Sequence, residues 1–209
     1  MKITPRDVAA LTFVAEVGAV RLDDVGRLLT HLGGRKSALG ARTTRGIADR
    51  WKRSGYTEHH RIYHGQPSIV VATRRGARLT QQPVRLRVGL PPVADLGHDL
   101  TTAAVAVVYQ CNDRNWTGER LLTTSFTGNH RPDGTTVHGN HRTAVEVELT
   151  PKSSKRYATI LPDLLSEFDR VDYWVTPETD PVVRAAVSSY LVPADKKRVH
   201  LVQIGGLAR

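Results

Sequence analysis

The apolar positions at the start of the chain repeat at helical spacing. Val8, Leu11, Val14 and Ala15 share one face of a run with Thr4 as its N-cap and Pro5 at the first helical position. A second, shorter helix is predicted through Leu22, Val25, Leu28 and Leu29. After the loop GGRKSALG a third runs from about Ala41 to Arg53 and is stopped by Gly55. Leu39, Ile47 and Trp51 are its candidate core residues. Two strand-like runs, YTEHHRIYH and PSIVVAT, flank a turn at His64-Gly65-Gln66-Pro67, and TRRGARLT closes the hairpin.

Gly89, Pro91 and Pro92 punctuate LTQQPVRLRVGLPPVADLG, which predicts a linker over residues 83–95 between domains of residues 1–82 and 96–209. Beyond it the periodicity changes. HDLTTAAVAVVYQC, from His98, reads as a mostly apolar helix; Leu121, Leu122 and Phe126 predict a short strand, and TTVHG and TAVEVELT two more. Residues Ser153–Asp169 form an amphipathic helix interrupted by Pro162, followed by RVDYWVT as a strand, VVRAAVSSYL as a helix and RVHLVQI as a last strand. Strand–helix alternation late in the chain implies parallel pairing, hence an α/β domain with a mixed sheet flanked by helices.

Composition narrows the class. With 40% hydrophobic and 24% charged residues among 209, the chain is globular and long enough for two small domains. A single cysteine, Cys111, excludes an internal disulfide and a cysteine-ligated zinc site, and points to a reducing compartment. MKITPRDVAALTF lacks a signal peptide's apolar core, and no stretch approaches a membrane span, so a cytoplasmic protein without a membrane partner is expected. The net charge of +10 is unevenly placed: residues 1–90 hold 17 Lys/Arg against 6 Asp/Glu, leaving 13 against 14 for the rest. Such asymmetry predicts a polyanion-binding module joined to something else.

Three short helices followed by a hairpin resemble a bacterial winged helix-turn-helix over most of residues 4–80, an α+β unit. The resemblance makes the third helix a reader of double-stranded DNA. Arg42, Arg45, Arg50, Lys52 and Arg53 against Asp49, with Arg61 from the hairpin, supply cations for guanine edges and phosphates. Paired half-sites would imply a homodimer. A protein-interaction winged helix is the alternative. His59, His60 and His64 read as a solvated or phosphate-facing wing rather than a metal cluster.

The candidate chemistry lies in HRPDGTTVHGNHRTAVEVELTPKS, residues 130–153. In TAVEVELT, Val145, Val147 and Leu149 face one way while Glu146 and Glu148 face the other. Two carboxylates on one face are costly unless solvated, paired or holding a cation. Asp133 starts the preceding strand, and antiparallel pairing brings it toward Glu146. Converging carboxylates suit a hard divalent ion, which activates water and stabilises phosphate charge. The plain alternative is a hairpin whose Glu146 and Glu148 are solvated and pair with Arg142, Lys152 or Lys155.

Pro132-Asp133 followed by Glu146-Val147-Glu148 resembles the PD-(D/E)xK nuclease superfamily. The resemblance implies Mg2+ or Mn2+ held by Asp133, Glu146 and the carbonyl of Val147, with Asp133, Glu146, Glu148 and Lys152 as the catalytic set of an endonuclease or nickase. Position 148 departs from the pattern, since glutamate stands where the superfamily has lysine. Lys152 supplies an amine from another direction, Glu148 a further ligand, and Glu119 of WTGERLL is a possible accessory acid. More narrowly, the chain resembles actinobacterial replication-relaxation proteins, on His98-Asp99-Leu100, Trp116-Thr117-Gly118-Glu119-Arg120, Arg131-Pro132-Asp133-Gly134 and Glu146 to Ser153. That resemblance implies a DNA-binding protein of a plasmid or mobile element, with plasmid replication or transfer proteins as partners. Loss of activity would leave a nuclease-like DNA-binding regulator of replication or transcription instead.

Overall fold

The structure is a computed structural model that describes residues 3–62, 64–80, 86–122 and 129–207. It divides into two compact units, Met1–Asn112 and Asp113–Arg209. Residues 83–85 of the expected linker, and Phe126 of the expected strand, lie outside the described residues.

In the first unit, α1 (Pro5–Val17) begins as predicted. Thr4 Oγ1 accepts from the Asp7 amide at 3.2 Å and the Thr4 amide donates to Asp7 Oδ2 at 3.0 Å, a reciprocal capping box. A three-residue strand, β1 (Ala19–Arg21), follows, then α2 (Leu22–Leu32) and α3 (Ala41–Arg53). β2 (Thr57–His60) and β3 (Ile69–Ala72) complete an antiparallel sheet in the order β1-β3-β2. Sequence patterning missed β1 because three residues are too few to establish alternation.

Two further segments differ from expectation. Residues Arg74–Leu79 of TRRGARLT form a helix, α4, rather than an arm of the hairpin. Thr73 explains this: its Oγ1 accepts from the Gly76 amide at 3.0 Å, an N-cap that diverts the chain out of the strand. The helix expected from His98 begins at Val93 (α5, Val93–Gln110) and belongs to the first unit. Its Leu96 and Leu100 pack with Ala19, Ile69 and Val71 in one apolar cluster, and Arg21 Nη1 donates to the Leu100 carbonyl at 3.4 Å. The first compact unit thus extends past residues 83–95 to Asn112.

The second unit is a mixed five-stranded sheet with flanking helices. Its elements are β4 (Asn115–Gly118), β5 (Gly134–His138), β6 (His141–Glu148), α6 (Ser154–Glu167), β7 (Arg170–Val175), α7 (Asp180–Tyr190), α8 (Pro193–Lys196) and β8 (Val199–Gln203). Strand order is β4-β5-β6-β7-β8; the first three pair antiparallel and β6-β7-β8 parallel. The first strand lies at 115–118, while Leu121 and Leu122 fall in the turn after it. β5 and β6 meet at a tight turn in which Gly139 holds φ +59°, as a mirror-image hairpin turn requires. Pro162 does not interrupt α6, which runs through it. Tyr157, Ile160, Leu161, Leu164 and Leu165 anchor the helix on the sheet with Ala144, Val171 and Tyr173, which offsets the hydrogen bond that proline forfeits. Among the described residues no helix is long and apolar enough to cross a membrane.

Candidate functional site

Strand periodicity puts Ala144, Glu146 and Glu148 on one face of β6. Ala144 belongs to the core beneath α6, so the glutamates occupy the covered face of the sheet, not a wet one. Both are 3% exposed. The alternative of a hairpin with solvated glutamates is therefore excluded: the hairpin exists, but α6 lies on its carboxylate side. Arg142 is occupied elsewhere, its amide donating to Asp169 Oδ2 at 2.8 Å and its guanidinium to the Glu167 carbonyl at 3.2 Å.

Each carboxylate has a specific neighbour. Lys152, just ahead of α6, hydrogen-bonds Glu148 through Nζ, and the same nitrogen lies 4.0 Å from Glu146 Oε2. Glu146 Oε1 lies 3.0 Å from His130 Nε2. Asp133 lies close enough to Glu146 to push its pKa up, but its Oδ2 accepts from the Val147 amide at 2.7 Å. Asp133 is thus held by the amide of the residue whose carbonyl the nuclease resemblance marks as a ligand. The Glu119 amide donates to the Asp133 carbonyl at 3.0 Å, while the Glu119 side chain is exposed, so Glu119 positions Asp133 through its backbone.

These partners set the protonation of the site. Burial raises the pKa of Glu146 above the ordinary carboxylate value, and Asp133 adds to the rise; the His130 hydrogen bond and Lys152 oppose it. Burial alone would lower the pKa of His130, but the hydrogen bond and charge of Glu146 outweigh it and raise it. The Tyr157 hydroxyl is pushed up to about 12 by burial, against the opposing hydrogen bond from the Lys152 amide. Burial likewise holds Tyr173, fully enclosed on β7, well above the usual tyrosine value, and Glu146 and Glu148 add to the effect.

His130, Tyr157 and Tyr173 were absent from the sequence-derived site. His130 sits in the same short stretch as Asp133, and its amide is pinned by Asp163 Oδ2 at 2.8 Å. Tyr173 is the register partner of Glu146 across the parallel β6-β7 pair. Its hydroxyl is buried without a hydrogen-bond partner among the described residues. Thr179 Oγ1, donating to the Glu148 carbonyl at 2.8 Å, fixes the end of β6 from the loop before α7.

The cationic residues of the first unit separate into two groups. Thr44, Ile47, Ala48 and Trp51 form the buried stripe of α3, and Arg42, Arg45, Lys52 and Arg53 stand exposed on its other side. Arg61 is exposed on the β2–β3 loop. Arg50 differs: its Nη2 lies 3.1 Å from Oδ1 of the fully buried Asp7, which also accepts from Trp51 Nε1 at 3.0 Å. Arg50 thus helps tie α3 to the first turn of α1. His59 lies 3.7 Å from Asp49 and His60 3.4 Å from Glu58, so two of the three histidines have an acidic neighbour. No family model, curated protein or solved structure matches this chain.

Proposed function

We propose that the chain is a double-stranded-DNA-binding protein that hydrolyses phosphodiesters with Mg2+ or Mn2+, an endonuclease or nickase of a plasmid or mobile element. The observation that carries the hydrolytic reading is the gathering of Glu146, Glu148, Lys152 and Asp133 at the carboxyl end of β6. Ligands of open α/β sheets bind at the carboxyl ends of strands. Lysine returns to the site by a different route: Lys152 reaches Glu148 and approaches Glu146 from the mouth of α6. The order α1-β1-α2-α3-β2-β3 is that of a winged helix-turn-helix, and the second unit's mixed sheet suits a PD-(D/E)xK nuclease. The replication-relaxation role rests on the sequence resemblance.

The donor set fits one kind of metal site. Among the described residues no group of three or more His, Cys, Asp or Glu side chains is arranged to hold a metal ion. Magnesium, however, uses one or two carboxylates and fills its remaining positions with water and phosphate oxygens. Glu146 and Asp133 would hold it, with the Val147 carbonyl, and it would supply Lewis-acid stabilisation of phosphate charge. The chain's own contribution is positional. The Val147 amide orients Asp133, His130 orients Glu146, and the Lys152 amine places positive charge where a scissile phosphate would gather negative charge.

Supercoiled plasmid nicking in Mg2+ or Mn2+ tests this. Asp133→Ala and Glu146→Ala should each abolish it, while activity surviving both would refute the assignment. A second reading is a DNA-binding regulator with a silent site. The hold that Val147, His130 and Lys152 already have on the three carboxylates favours it, because a metal would have to compete with them. Absence of cleavage with every divalent metal, with DNA binding retained, would select that reading.

A further inference from the structure

The first unit contains a cavity of about 330 Å3 with no part in phosphodiester chemistry. Its walls are the start of α2, the loop entering α3, the first turn of α3 and the β2–β3 loop. Leu22, Leu39 and Pro67 give it apolar walls, and Arg45 and Arg61 line it as well. The Leu22 amide donates to the Ser68 carbonyl at 2.8 Å, which fixes the β2–β3 loop against α2 and holds the walls in place.

Size and charge define the occupant. Small-molecule sites begin at about 300 Å3 and combine an apolar lining with a few polar groups. A lone phosphate would leave most of this space empty, and a hydrated DNA backbone gains nothing from leucine and proline. The charged lining comprises Arg27, Arg45 and Arg61 against Asp23. Two of these are engaged within α2: Asp23 Oδ1 accepts from the Asp24 amide at 3.0 Å, and Arg27 Nη1 lies 3.5 Å from Asp24 Oδ1. Arg45 and Arg61, both exposed, remain to meet a ligand. Ala41, the first residue of α3, lines the cavity and no side chain caps that helix, so its positive end adds to the same field.

We propose that this cavity binds a small amphipathic organic carboxylate, its apolar body against Leu22, Leu39 and Pro67 and its carboxylate on Arg45 and Arg61, and that the bound acid weakens DNA binding. The coupling rests on the DNA-binding reading above, because Arg45 and Arg61 are also assigned to DNA. The binding step does not depend on it.

The test titrates the full chain with 1-naphthoate, followed by ligand fluorescence, with inorganic phosphate as competitor. Saturable one-to-one binding is expected, weakened at least about 10-fold by Ala38→Trp, which fills the cavity, and by Arg45→Gln with Arg61→Gln. Gln66→Trp fills the cavity from the β2–β3 loop and should act alike, so misfolding of one variant cannot imitate the result. No saturation, or binding indifferent to all of these substitutions, overturns the site. Phosphate that displaces naphthoate at concentrations comparable to those of naphthoate itself would make it a plain anion seat and also overturns it. Fluorescence anisotropy of a labelled duplex then reads the coupling. Naphthoate should lower DNA affinity for the wild type and leave Ala38→Trp unmoved; an equal response of the two overturns the coupling. A chain that binds naphthoate but never DNA would refute the DNA-binding reading while leaving the cavity assignment standing.

Discussion

Replacing Lys152 with methionine would leave Glu146 and Glu148, each 3% exposed, facing each other's field with a major counter-charge gone. Removing one partner of a buried ion pair costs about 3–5 kcal/mol, because the other charge stays in the interior uncompensated. The Lys152 side chain is 21% exposed, so water replaces part of what is lost and the cost falls to about 2–3 kcal/mol. At about 1.4 kcal/mol per factor of ten, amides of β6 and β7 should exchange hydrogen about 30- to 150-fold faster in Lys152→Met than in wild type. Val70 and Val71 of β3, in the other unit, serve as internal controls and should not change. The pH dependence follows from Glu146, whose pKa burial already raises and Lys152 holds down. Without the lysine its folded pKa rises further above its unfolded value. The resulting cost is complete only above that raised folded pKa and disappears as pH falls below the ordinary glutamate range. Glu148→Gln added to Lys152→Met should recover most of the protection. A ratio within about twofold of unity at pH 7, or an undiminished ratio near pH 4, would refute the reasoning.

Three further outcomes are expected. Burial raises the Asp24 pKa to about 6 from 3.8, with Asp23 contributing and Arg27 opposing, so stability drains from the first unit as pH climbs between those values. Asp24→Asn should therefore stabilise that unit by on the order of 2 kcal/mol at pH 7.5 but not at pH 4, measured by urea unfolding. Asp7→Ala leaves Trp51 Nε1 and Arg50 without their acceptor and removes the capping box, a loss of about 2–4 kcal/mol visible as a lower thermal midpoint by tryptophan fluorescence. In DNA titrations, Arg42→Gln and Arg45→Gln should each reduce the log–log salt slope by about 1, whereas Arg50→Gln, already paired with Asp7, should lower stability and leave the slope.

Local chemistry was the legible part of the sequence. Thr4 and Pro5 specify the start of α1 through side-chain and ring geometry that needs no tertiary partner. Alternation in TAVEVELT sorted side chains into two faces, and late strand–helix alternation gave the parallel half of the sheet. Period two cannot say which face will be covered, and the burial of Glu146 and Glu148 depends on where α6 lands. The place of Tyr173 is hidden in the sequence for a related reason. Its register with Glu146 is set by a crossover through α6, and parallel strands carry no turn from which to count. Arg50 looked like its neighbours because a helix face rich in arginine does not reveal which one meets Asp7 across 43 positions. The attachment of α5 to the first unit was equally hidden, since a proline- and glycine-marked stretch signals a break in regular structure rather than the edge of a core.

That attachment bears on how the protein can be divided. A fragment ending at residue 82 would lose Leu96 and Leu100 and the helix that carries them, wetting Ala19, Ile69 and Val71 along an otherwise intact sheet. An apolar sheet face uncovered in this way invites self-association. Cleavage after Asn112 keeps that cluster whole and severs no part of the five-stranded sheet. The smallest portable piece of this molecule is therefore longer than its helix-and-hairpin motif, and recombination or proteolysis would preserve a working N-terminal half only on the far side of α5.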